Sequence, residues 1–85
     1  DSLVDDIRLR GLEMQVGKID GAKLQGILDR CQAGNPERFY RGLLLLLRSR
    51  DLAGAKRVCA AKAELFAEHP TVGDVIRTVL RSSTG

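Results

Sequence analysis

Few side chains in this chain combine a reactive type with a reactive spacing. His69 is the single imidazole and stands directly before Pro70. That place predicts the last turn of a helix, where the dipole favours an imidazolium as a cap rather than as a catalyst. Cys31 and Cys59 form no Cys-x-x-Cys pair, and one His does not complete a zinc set with them. Both cysteines fall on apolar faces, which predicts buried thiols in a reduced, cytoplasmic chain. Asp5 and Asp6 pair two carboxylates at the start of a helix, where they complement the dipole and do not need an acid–base role. No phosphate loop, nucleophile elbow or metal motif is present. The expectation is a protein that is not an enzyme, with no cofactor, no metal and no small-molecule substrate.

What remains is charge. The net charge is +3, but residues 35–62 carry seven basic and two acidic side chains, whereas the rest carry seven basic and nine acidic. The middle is therefore +5 and the remainder −2. On one continuous helix Arg41, Arg48 and Lys62 fall within about 60° of one another, with Arg38 and Lys56 on the adjoining strip. Such a strip follows a phosphate backbone in one reading. In the other it is a solvated face whose long stems cover apolar surface.

The elements that must position these groups are helices. Eighty-five residues make one small domain, 1–85, which buries only a little over about 60% of its unfolded surface. Three aromatics and no Trp leave the core to Leu, Ile, Val and Ala and provide no platform for base stacking. No apolar run approaches the roughly 20 residues of a membrane span, and no signal-peptide pattern opens the chain. It begins at Asp1 rather than Met, as expected of a processed or excised piece.

A first helix is expected over residues 2–16, with Leu3, Val4, Ile7, Leu12 and Val16 approximating its face and Asp1, Ser2, Asp5 and Asp6 at its start. Gly17 stops it, and Asp20 caps a second helix whose Leu24, Ile27, Leu28 and Cys31 fall at i, i+3, i+4 and i+7. Pro36 opens a third, over residues 36–48. There residues 43–47 are five consecutive leucines. At about 100° per residue they cover every side, so this helix must sit at the centre of a stack.

The polar break Arg48-Ser49-Arg50-Asp51 precedes a fourth helix over residues 51–68, with Leu52, Ala55, Val58, Cys59, Leu65 and Phe66 inward. One continuous helix over 36–69 is the alternative; it would put Asp51 and Gly54 on a buried stripe, where both are poor interior residues. A fifth helix carries Val72, Val75, Ile76, Val79 and Leu80, followed by a frayed tail. The fold class is all-α, with five helices in stacked hairpins. Leu43, Leu44, Leu47, Val58, Leu65, Ile76 and Leu80 are its expected core and interaction residues.

Gly21-Ala22-Lys23 returns as Gly54-Ala55-Lys56, and Pro36 returns as Pro70, both at spacings near 34. Helical hairpins of that period cover their apolar faces by stacking. In this respect the chain resembles the tetratricopeptide and pentatricopeptide repeats. Residues 36–69 look like one unit, with Tyr40 and Leu43 in its first helix, Ala55 in its second and Pro70 at the junction. Residues 2–35 look like a degenerate unit before it, and 70–82 like a terminal helix after it, leaving 83–85 as tail. Arg41 and Ile76 stand where base-reading pentatricopeptide helices use Asn, Ser or Thr.

The resemblance implies a module that docks another protein or a second copy of itself, as an adaptor, chaperone-like or oligomerisation domain. If residues 36–69 were one rod, the layout would instead resemble the dimeric silencing suppressors of nodaviruses. That resemblance implies sequence-independent binding of double-stranded RNA through Arg38, Arg41, Arg48, Lys56 and Lys62.

Overall fold

The computed structural model describes residues 2–82; Asp1 and the expected tail at residues 83–85 lie outside the described residues. Local chemistry punctuates the helices. The first helix, α1 (Ser2–Met14), closes two residues short of the expected 16, and Gly17 turns the chain at φ 97°. Asp20 then caps α2 (Gly21–Asp29), its Oδ1 accepting the Lys23 N–H at 3.1 Å. Pro36 is the first helical residue of α3 (Pro36–Arg48), where its missing N–H costs nothing.

The break after the leucines is a left-handed residue. Arg50 has φ 63°, its N–H donates to Leu47 O, and the Asp51 N–H donates to Leu46 O, both at 3.0 Å. This is the Schellman arrangement, which satisfies two of the carbonyls a helix end leaves open. Asp51 starts the next helix at once, its Oδ1 accepting the Gly54 N–H at 2.9 Å. Residues 36–69 therefore form two helices, not one rod.

The fourth helix, α4 (Leu52–Lys62), ends well before the expected 68. Residues 63–68 are wound into turns, with Phe66 N–H bonded to Lys62 O and His69 N–H to Phe66 O. The unwinding carries Phe66 inward against Phe39, ring centroids 5.1 Å apart, and leaves Leu65 exposed. His69 does not cap α4 as expected. Its Nδ1 accepts the Val72 N–H at 3.0 Å, so it caps the start of α5 (Val72–Arg81).

Each helix packs only on those one or two places away in the chain: α1 on α2 and α3, α2 on α3 and α4, α3 on α4 and α5, α4 on α5. That order makes a stack of helical hairpins two helices deep, 32 × 29 × 17 Å, with α1, α3 and α5 in one layer and α2 and α4 in the other. Among the described residues there are five helices and no strand, and no helix is long and apolar enough to cross a membrane.

α3 touches all four other helices, as its leucines require. Gly42 lets it approach α2: a Cβ there would lie 2.4 Å from Leu28 Cδ2. Leu43, Leu45 and Leu46 are buried beside Phe39, and Val58 and Ile76 join them from α4 and α5. Leu47 is only half-buried, and Leu44, Leu65 and Leu80 are exposed, contrary to expectation. A two-layer stack surrounds its central helix on three sides, so one strip of α3, with Glu37, Leu44 and Arg48, stays open.

The expected face of α1 is also overturned. Leu12 is buried, but Leu3, Val4, Ile7 and Val16 are exposed, and the inward line is Asp5, Leu9 and Leu12 at i, i+4 and i+7.

Candidate interaction surface

The five cations of the expected strip do not share a surface. The bend at Arg50 puts Lys56 and Lys62 on a second helix. Arg38 is buried, and its Nε donates to Asp6 Oδ1 at 2.8 Å. Arg41 grips Glu13 with Nε and Nη2, the Nε bond being 3.0 Å. Lys62 Nζ donates to the Cys31 carbonyl at 3.0 Å, at the end of α2, while Lys56 Nζ donates to the Ser82 carbonyl beyond α5. Arg48 alone of the five stands exposed, at the end of α3. Arg38, Arg41, Lys56 and Lys62 tie elements together.

The tie is tightest at α1. Asp5 is buried and takes a two-pronged bond from Arg30, Nε at 2.9 Å and Nη2 at 2.8 Å. With Asp6–Arg38 and Glu13–Arg41 this makes three carboxylate–guanidinium clamps onto α2's end and α3. In each the guanidinium hydrogen bond holds the carboxyl below its ordinary range, against the opposing effect of burial. The same bonds raise the three guanidiniums further above theirs. On the other side of α2, Arg57 bridges Gln25 and Asp29, both at 2.8 Å, and joins α4 to α2.

Reactive groups are sealed or absent. Burial pushes the Cys31 and Cys59 thiols up to about 11, leaving almost no thiolate near neutrality. Among the described residues no three His, Cys, Asp or Glu side chains gather as metal ligands. A cleft of about 410 Å³ opens beside Ile19, Leu24 and Leu46, but its one carboxylate, Asp51, is committed to capping α4 and to Gln25 Nε2.

The exposed apolar surface is concentrated. Of eight large hydrophobics left in solvent among the described residues, Leu3, Val4, Ile7, Met14 and Val16 lie at or before position 16, against Leu44, Leu65 and Leu80 elsewhere. Ile7 is 63% exposed and Met14 76%. Gly11 lies between them on the same side of α1, and nothing lies within 4 Å of a Cβ placed there. The fold as it stands gives no packing reason for that glycine.

Sequence reasoning missed this surface because Leu3, Val4, Ile7 and Val16 read equally well as a buried face. The signal available was the acidic row Asp5, Asp6 and Glu13 on the neighbouring sides, which has to be reconciled with the basic middle of the chain. Compared with protein-family models, curated proteins and solved structures, the chain matches none.

Proposed function

We propose that this chain is a non-enzymatic protein-interaction module, a short stack of helical hairpins related in design to the tetratricopeptide type, that docks a protein partner. The observation that carries this reading is the apolar outer side of α1. A helix that buries only Leu9 and Leu12 of its large apolar side chains, and leaves Leu3, Val4, Ile7 and Met14 in water, has surface a partner is able to cover. The commitment of Arg38, Arg41, Lys56 and Lys62 to internal bonds favours this reading over phosphate gripping, because each phosphate contact would have to replace a bond already made.

The test compares the chain with an Ile7→Ser/Met14→Ser variant by sedimentation and by binding of a hydrophobic dye. The wild-type chain is expected to bind dye through its exposed apolar side chains; the variant, with its helical circular dichroism unchanged, is expected not to. A compact monomer without dye binding would sink the proposal. Submicromolar binding of duplex RNA at about 150 mM salt, abolished by Arg41→Gln/Arg48→Gln, would replace it with the nucleic-acid reading.

A further inference from the structure

The packing order of the stack leaves a seat empty beyond α1. α1 lies in the groove between α2 and α3, α2 in that between α3 and α4, and α3 in that between α4 and α5. One step outward, the next groove is the one between α1 and α2. It is an open trough of about 490 Å³ lined by Arg8, Lys23, Gly26 and Arg30 together with Asp20 and Ala22. Its single acid is spoken for, since Asp20 accepts the Lys23 N–H as the cap of α2. Beside it on α1, Val4 and Ile7 are exposed at i−4 and i−1 from Arg8.

The occupied seat next to it shows what such a groove accepts. α1 fills it by burying Leu9 and Leu12 and by giving Asp5 to Arg30, Asp6 to Arg38 and Glu13 to Arg41. An apolar seam flanked by cations thus receives an apolar stripe flanked by acids. The outer groove has a related make-up, with Arg8 and Lys23 as cations in its lining and Val4 and Ile7 exposed along α1 beside it. Among the described residues Arg8 pairs with Asp5 alone, loosely at 3.6 Å, and its side chain is 53% exposed.

We propose that the α1–α2 groove docks a helix of a partner protein whose apolar stripe is flanked by Asp or Glu, seated as α1 is seated on α2 and α3. The proposal rests on the interaction-module reading and names its surface and the chemistry of its partner. Gly11 fits this role, because a helix face without a Cβ admits another backbone closely. A second copy applied edge to edge is disfavoured, since it would set Arg8 and Lys23 against their own kind.

The test titrates the full chain with labelled designed peptides of about 15 residues, four turns of helix. One carries a Leu stripe flanked by Glu, the other the same stripe flanked by Lys. The Glu peptide is expected to bind about tenfold tighter or better at about 50 mM salt, with the gap narrowing as salt rises. Arg8→Glu/Lys23→Glu should invert the preference, Ile7→Ser should weaken both peptides, and Arg48→Glu, on an exposed site elsewhere, should change neither. Equal binding of the two peptides, or indifference to Arg8→Glu/Lys23→Glu, overturns the seat. If neither peptide binds but the chain self-associates through Ile7, the occupant is a second copy, and this inference falls while the interaction-module reading stands. If there is neither peptide binding nor Ile7-dependent association, both fall.

Discussion

Helices α1 and α3 are each 13 residues long, share a layer, and are held in the stack by different forces. α3 contacts every other helix and buries Phe39, Leu43, Leu45 and Leu46, side chains that contribute roughly 1.5–3 kcal/mol each when fully buried. α1 contacts only α2 and α3, buries Leu9 and Leu12, and depends on three clamps for the rest of its hold. Hydrophobic burial is indifferent to pH and to moderate salt; carboxylate–guanidinium pairs are not. The comparison teaches that one small stack has a stable centre and a conditionally attached outer helix, and that the conditional helix presents the exposed apolar surface.

The largest effect should come from emptying the centre. Leu46→Ala removes a fully buried side chain from α3 and should cost about 2–5 kcal/mol in denaturant unfolding. Ile7→Ala on α1 should stay within about 0.5 kcal/mol. Equal losses at the two sites would erase the distinction between the helices.

Acid should separate them next. Asp5, Asp6 and Glu13 all have folded values lowered from their ordinary 3.8, 3.8 and 4.5 by guanidinium hydrogen bonds. A lowered folded value gives stability that is fully present above the unfolded value and drains as pH falls through the folded one. α1 amides should therefore lose hydrogen-exchange protection as pH drops below about 4, while α3 amides keep theirs. Simultaneous loss in both helices would mean that α1 does not detach on its own.

A single clamp should weigh less than a core leucine. Arg38→Met keeps an apolar stem in place but removes the guanidinium from Asp6, which is itself half-exposed, and should cost about 1 kcal/mol. Its effect at pH 3 should be smaller than at pH 7, because pH 3 lies below the ordinary carboxyl value of 3.8, where the stability supplied by the lowered Asp6 value has begun to drain. An undiminished effect would assign the cost to packing instead.

The smallest expected effect has the opposite sign. Gly11→Ala places a methyl in open space within a helix and should stabilise the isolated chain by about 0.5–1 kcal/mol. The same change should weaken docking of the Glu-flanked peptide on that side of α1. Tighter folding with unchanged docking would show that Gly11 is not a point of close approach.

Much of the fold was legible because it is written in contacts within a turn or two. Asp20 before α2, Pro36 at the start of α3 and the polar break around Arg50 act on their own neighbours, and the structure uses each of them. The single-faced periods of α2 and of Val72, Ile76 and Val79 in α5 likewise needed no tertiary knowledge. Where α4 ends was not legible, because residues 63–68 have helical composition, and the contact that accompanies their unwinding, Phe66 on Phe39, joins positions 27 apart in the chain.

The sequence by itself determined that the chain is helical, where four of its five helices start, and that the leucine helix must be central. Only the tertiary structure decided which side of α1 turns inward, that Leu44, Leu65 and Leu80 stay in solvent, and that four of the five cations serve as internal ties. The physical reason is separation along the chain: Asp5 meets Arg30, Asp6 meets Arg38 and Glu13 meets Arg41 across 25, 32 and 28 positions. Hydrophobic periodicity within one helix carries no record of charges that distant, so the side of α1 that looks like a core face is the one its clamps turn toward water.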